Sequence, residues 1–296
     1  MPQEKLAWQS KLVLLAVLPF AAVHAVRGFH EWMPESVAVA IWTTGLSVLL
    51  GLVTWRVHAA TAAAAFTGAA ITASLMFSTV AFPYEPWHTA LIPILAVALL
   101  AFIATRVGRA KKESLGTAER RKGRSASQVA ANLGFATLVS SGPVQFWLMD
   151  CPWLDRAAHA RVPLLVLALA ALAEAAADTV SSEIGQVFGG RPRMITTFRA
   201  AAPGRNGAIT VTGTLAGVIA AGVVASSGAW ALRGDRNLFV VACAGAVFGL
   251  FFDSGLGATL EQWGWLNNDA ANFLSTASAA GLALLLLEFV PIPMVG

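Results

Sequence analysis

PLLVLALAALAEAAADTVSSEIGQVFGG, residues 163–190, begins as an unbroken apolar run and ends in carboxylates, serines and glycines. A membrane-spanning helix needs about 20 mostly apolar residues, and the run predicts one over roughly 161–180. Glu174 and Asp178 close it. Ionisable side chains inside a span are costly unless paired or hydrated, so they are functional candidates by default. Glu174 and Asp178 stand one turn apart on one helix face, which Ser181 and Ser182 continue. Two carboxylates so placed repel unless something positive lies between them. Mg²⁺ meets that need, since it takes oxygen ligands from one or two carboxylates and completes its shell with phosphates. Arginines of the following loop would also meet it. Glu183 comes five residues after Asp178, about 140° around an ideal helix. It joins the same site only if the helix ends or unwinds there.

The next stretch, FGGRPRMITTFRAAAPGRNGAITVTGTLAG (188–217), is rich in Gly, Arg and Pro. Arg191 and Arg193 offer forked donors suited to phosphate oxygens. Pro203-Gly204-Arg205-Asn206-Gly207 then turns the chain into a helix expected from about 207, whose N-terminal amides favour an anion. No Walker loop occurs anywhere in the chain. A further polar cluster, FDSGLGATLEQWGWLNNDAANF (252–273), contains Asp253, Glu261, Asn268, Asp269 and Asn272. Asp253 follows a long apolar run and has no basic neighbour in sequence. The asparagines serve equally as caps or interhelical hydrogen-bond partners. Gln128 and Asn132 form another amide pair at i,i+4 spacing.

Composition agrees with a membrane setting. Of 296 residues, 57% are hydrophobic and 12% charged, and the mean hydropathy is +0.67; soluble domains have about 45–50% apolar and 25% charged residues. Cys151 and Cys243 are too few and too far apart for a disulfide framework. The five histidines form no zinc-binding spacing. No nucleic-acid partner is expected.

Candidate spans lie near 12–27, 37–55, 60–81, 88–106, 128–149, 161–180, 207–228, 237–255 and 270–290. The first is short and interrupted by Pro19, so the count is eight or nine. No cleavage site for a leader follows it. The chain reads as an all-α polytopic bundle, a single membrane domain over 1–296 with a basic loop at about 107–127 and a Gly/Arg-rich loop at about 181–206. Nine spans with a cytoplasmic N-terminus place 15 of the 20 Lys and Arg residues on the cytoplasmic side, as the positive-inside rule requires. That count includes Lys5, Lys11, Arg56, Arg106, Arg120, Arg121, Lys122 and Arg124; Arg27, Arg156, Arg161, Arg233 and Arg236 fall outside. The basic loop reads as a topology determinant on anionic lipid, or as a contact for phosphate-bearing substrates as well. Gly213-x-x-x-Gly217 and Gly245-x-x-x-Gly249 read as close helix-packing contacts. Tryptophans at span ends, Trp153 among them, read as interfacial residues. The compact chain points to a bacterial plasma membrane.

KGRSASQVAANLG (122–134), the 177–217 segment and the 252–273 cluster together resemble the membrane family of plant phytyl-phosphate kinase and animal transmembrane protein 19. The resemblance runs from about residue 60 to the end. Its aspartate–threonine, serine–glutamate–glycine, arginine–proline and asparagine–glycine elements match Asp178-Thr179, Ser182-Glu183-Gly185, Arg191-Pro192 and Asn206-Gly207. Glu174 departs from the pattern, which has a neutral residue there. Dolichol kinases and CDP-diacylglycerol synthases are more distantly similar. The resemblance implies transfer of a γ-phosphoryl group from a nucleoside triphosphate, CTP among them, to an isoprenyl monophosphate such as phytyl phosphate. It further implies Asp178, Glu183 and Asp253 as catalytic Mg²⁺ ligands and Arg191, Arg193 and Arg205 as phosphate contacts. Gln128, Asn132, Asn206, Asp269 and Asn272 would then bind substrate or nucleotide, with the lipid tail entering between helices. A CTP-dependent cytidylyltransferase and a transporter of small anions or lipid phosphates are the alternatives.

Overall fold

The computed structural model describes residues 6–119, 122–151 and 161–290, with residues 161–163 described as backbone. Lys5, Arg120, Arg121, Trp153, Arg156 and the Arg161 side chain, all used above to orient the chain or mark its interface, lie outside the described residues. The helices in chain order are α1 (Ala7–Glu35), α2 (Val37–Arg56), α3 (Ala62–Ser78), α4 (Leu91–Arg106), α5 (Arg109–Leu115), α6 (Ala126–Ser140), α7 (Gly142–Met149), α8 (Arg161–Phe188), α9 (Val211–Ala231), α10 (Arg236–Leu256) and α11 (Asn268–Leu287). A two-stranded antiparallel ribbon, β1 (Arg193–Met194) and β2 (Ala208–Ile209), pairs Arg193 with Ile209 between α8 and α9. The molecule is an all-α polytopic bundle.

Six helices are long and apolar enough to cross a membrane, or seven if α4 and the sharply bent α5 count as one. This is fewer than the eight or nine expected from hydropathy, and the differences have local causes. α3 has only 17 residues. The segment expected at 128–149 breaks between Ser140 and Gly142, where Pro143 enters α7 near its start. Proline does not break α1, a continuous 29-residue helix holding Pro19 and Pro34. In a membrane helix neighbouring groups can satisfy the carbonyl that proline frees.

α8 is the hub. It packs against α4, α6, α9, α10 and α11, and from Leu164 to Ala177 its side chains are buried. α1, by contrast, leaves Leu12, Leu15, Val23 and Val26 exposed, as suits a helix facing lipid. Small residues let the hub helices meet backbone to backbone, as the glycine motifs predict. A methyl added at Gly213 would lie 2.6 Å from the Ser181 carbonyl oxygen, and one at Gly217 would lie 2.8 Å from that of Ala177. At Gly249 the absent side chain leaves room for Glu174, whose Cγ would be 2.5 Å from an added Cβ.

Contacts between the helix ends gather the polar segments at one end of the bundle. Asn267 caps α11 and also donates to the Leu6 carbonyl at 2.8 Å and to Ser10 at 3.0 Å. Gly123-Arg124 clips onto the α2–α3 connection, with the Arg124 amide donating to the Ala59 carbonyl at 3.0 Å and the Thr61 amide to the Arg124 carbonyl at 3.1 Å. A Cβ at Gly123 would collide with the Ala59 carbonyl group, and its φ of +80° also favours glycine.

Candidate active site

α8 runs eight residues beyond the expected span end and stays helical to Phe188, so the polar loop begins near 189 rather than 181. The end of α8 presents Asp178, Ser181, Ser182 and Gln186 to one cleft. Across from it, α10 brings Asp253 and Ser254 and passes into a π-helical turn, Gly257–Glu261. Such turns are frequent at functional sites. The third wall is the loop 203–210. Gly207, at φ +76°, sits against the Ala258 backbone where any side chain would collide, and this contact docks the loop on the π-turn. Gln262 completes the lock by donating to the Asn206 carbonyl at 3.1 Å and accepting from Arg205 at 3.0 Å.

The result is a polar cleft of about 190 Å³, lined by Asp178, Ser182, Arg205, Asn206, Asp253 and Glu261 among others. Asp178, Ser182 and Asp253 line this cleft together. Glu174, one turn deeper, is buried. Asp253 Oδ1, Glu261 Oε1, Glu174 Oε1 and Gln186 Oε1 are buried without a hydrogen-bond partner. Buried carboxylates left unpaired are strongly disfavoured, and Arg124 is the basic side chain whose charge acts on Asp178. The arrangement fits a divalent cation at Asp178 and Asp253. Among the described residues no group of three or more His, Cys, Asp and Glu side chains forms a cage. A two-carboxylate site open to phosphate oxygens is the form Mg²⁺ favours.

Of the residues the sequence nominated, Asp178, Asp253, Arg205 and Asn206 meet in this cleft. Glu183 is drawn elsewhere. Because α8 does not unwind, Glu183 points away from the cleft, pairs with Lys112 at 2.5 Å and accepts from Thr105 at 3.3 Å. Lys112 is completely buried and also donates to the Ala104 and Thr105 carbonyls at the end of α4. Gln128 serves the capping box of α6 with Ser125. Asn132 donates to the Gln128 carbonyl at 2.8 Å, and Asn272 reaches Asn132 at 3.4 Å. Asp269 is buried in the first turn of α11. Arg191 and Arg193 are exposed, and Arg193 donates to the Phe198 carbonyl at 2.8 Å on the ribbon. The helix expected from 207 starts at Val211, because 208–209 forms β2 and Thr210 caps Gly213.

The matching family model is Integral membrane protein DUF92, over residues 45–280. The chain belongs to this family. It is 34% identical over 186 residues to the uncharacterised membrane protein MJ0933 of Methanocaldococcus jannaschii, covering 63% of this chain and 71% of that protein. It is 28% identical to the uncharacterised membrane protein sll0875 of Synechocystis, covering 67% and 73%. It is also 28% identical to Protein VTE6, chloroplastic, of Arabidopsis thaliana, covering 67% of this chain and 58% of the plant protein. No solved structure matches the chain. The matched segment contains every residue of the cleft, and of the nominated site residues all fall within it.

Proposed function

We propose that this DUF92 protein is a membrane kinase that transfers a phosphoryl group from a nucleoside triphosphate to an isoprenyl monophosphate, giving the diphosphate. The observation that carries this reading is the pair Asp178 and Asp253, which line one open cleft, with Asp253 Oδ1 unpartnered. The family resemblance supports the same reaction and CTP as one donor. In the reaction an oxygen of the lipid monophosphate attacks the γ-phosphorus, the bond to the β-phosphate oxygen breaks, and the nucleoside diphosphate leaves. The attacking group is already an anion, so no strong base is needed. Positioning and charge neutralisation are the main tasks in such a transfer.

Asp178 and Asp253 would hold Mg²⁺, which neutralises charge on the phosphate oxygens when bound. Arg205 lies on the cleft wall with its guanidinium braced by Gln262, placed to bind a nucleotide phosphate. The Asn206–Gly207 backbone lets that phosphate approach the π-turn closely. The cleft faces the cytoplasm in this reading, where nucleoside triphosphates are found and where the basic residues around Arg56, Arg106 and Arg205 belong. The apolar stretch Leu164–Ala173 of α8 carries no polar side chain toward the opposite end, which favours an enzyme over a transporter.

The test uses purified protein, Mg²⁺, CTP or ATP labelled at the γ-phosphate, and phytyl or geranylgeranyl monophosphate. The expected product is labelled lipid diphosphate, formed at least about a hundredfold more slowly by Asp178→Asn protein that still inserts and folds. A cytidine-bearing lipid with release of pyrophosphate would identify the cytidylyltransferase instead. No product from any isoprenyl phosphate with folded protein would refute the kinase.

A further inference from the structure

A second cavity lies against the cleft on the adjoining face of α8. Faces of α2, α3, α4 and α6 enclose a slot of about 180 Å³. Its walls are mostly small or aliphatic, with Ala64 and Gly68 on α3, Ile94, Ala98 and Ala101 on α4, and Leu133 on α6, while Thr72 and Asn132 add polar groups. These residues recur at three- and four-residue intervals, so each helix gives the slot one face. Ile94 and Arg106 mark its two ends along α4, a helical rise of roughly 18 Å. That is about three-fifths of a hydrocarbon core of ~30 Å.

The mouth has the opposite character. Arg106, Arg109 and Arg124 gather there with His58 and with one carboxylate, Glu119. Arg109 is paired with Glu113 at 3.0 Å. Arg106 stacks on Phe102 and donates to the Val57 carbonyl at 2.8 Å, and among the described residues neither it nor Arg124 forms an ion pair. Arg124 is held by the Gly123 clip and its guanidinium approaches the Thr179 hydroxyl at 3.4 Å. Thr179 adjoins Asp178, so one arginine stands between the slot and the cleft.

We infer that this slot binds the single isoprenoid tail of the lipid substrate, with its monophosphate held at the mouth by Arg124 and Arg106 and turned toward Asp178. The inference rests on the kinase reading above and locates its acceptor. Charge complementarity selects an anionic head, and the helix-lined wall selects a single chain over a two-chain phospholipid. Arg124 is a binding residue here, beyond its contribution to topology. The end wall near Ile94 sets the length of tail that fits, and Ala98 and Ala101 set its passage.

The test uses the full-length protein in lipid nanodiscs and geranylgeranyl monophosphate carrying a photoreactive diazirine near the tail end. Cross-links are mapped by mass spectrometry, and transfer is measured in parallel. The expected labels fall on peptides of α3, α4 and α6. Ala98→Phe, or Ala101→Phe if the first fails to fold, should abolish that labelling. The same variant should lower kcat/KM for geranylgeranyl phosphate at least about tenfold while short geranyl phosphate loses less. Arg124→Gln should raise KM for the lipid phosphate about tenfold or more and leave nucleotide binding intact. Labels on α9 and α10 instead, or displacement by phosphatidic acid but not by phytyl phosphate, would overturn the slot. If the tail labels the slot but no phosphate is transferred, the slot stands and the kinase reading falls. If transfer proceeds while labels lie elsewhere, the kinase stands and the slot falls.

Discussion

The polar cleft and the apolar slot share α8 as a wall but are made by different means. The cleft takes its character from charged and amide side chains on helix ends and on a loop locked down by Gly207 and Gln262. The slot takes its character from what is missing: Ala64, Gly68, Ala98 and Ala101 leave space where larger side chains would fill it. One site is specified by chemistry at few positions, the other by size at many. Between them stand two cationic side chains with separate tasks. Lys112 ties the slot wall α4 to α8 through Glu183, and Arg124 lines the slot and reaches Thr179, next to Asp178 of the cleft.

The largest effect expected is on stability, at the tie. Lys112 is buried and its partner is nearly so. Removing one member of a buried ion pair leaves an uncompensated charge and costs about 3–5 kcal/mol. Lys112→Met should therefore lower Tm sharply in detergent, and the double variant Lys112→Met/Glu183→Leu should recover most of it. Should Glu183→Gln leave Tm untouched and instead raise the Mg²⁺ concentration needed for activity, Glu183 would belong to the cleft.

Next in size is the cleft itself. Asp253→Asn, like Asp178→Asn, should lower kcat by roughly 10²–10³-fold, the loss typical of one preorganised electrostatic group. Binding of the tail probe in the slot should persist in both variants. Loss of probe binding together with activity would merge the two sites into one folding unit and blur the distinction drawn here.

Gly123→Ala probes the border. Its new Cβ would meet the Ala59 carbonyl and force the clip open, displacing Arg124 without removing its charge. KM for the lipid monophosphate should rise about tenfold, the worth of one hydrogen bond to a charged group, with KM for the nucleotide unchanged. An equal rise in both would mean that Arg124 serves the cleft alone.

The same contrast explains which features of the fold and the cleft are legible in the sequence. Asp178, Asp253, Arg205 and Asn206 were legible because an ionisable or strongly polar group beside an apolar run is conspicuous. The glycine-rich packing of α9 and α10 was legible for its spacing. Glu183, expected in the metal set, pairs instead with Lys112, which lies 71 positions away and reaches it through the bent α5. Hydropathy could not locate the end of α8, since Ser181–Phe188 is polar yet helical. The slot left no motif: alanines and glycines at helical spacing read as packing, and only the assembled faces reveal an unfilled space. Arg124 carried a signal, its place in the 122–134 block of the resemblance, but among so many basic neighbours it read as topology.

The smallest effect expected separates arginines that look alike in sequence. Arg191, Arg193 and Arg205 are all exposed, but Arg205 lines the cleft and the other two do not, and Arg193 is engaged with the Phe198 carbonyl. Substitution of exposed residues away from a site alters free energies by about 0.5 kcal/mol or less. Arg193→Gln and Arg191→Gln should therefore change kcat/KM for the nucleotide by about twofold at most. Arg205→Gln removes a guanidinium from the cleft wall and should cost about tenfold or more. Steady-state kinetics with the nucleotide varied will rank the three. If Arg191 and Arg193 matter as much as Arg205, the ribbon folds over the cleft when nucleotide binds, and the phosphate site is larger than the cleft described here.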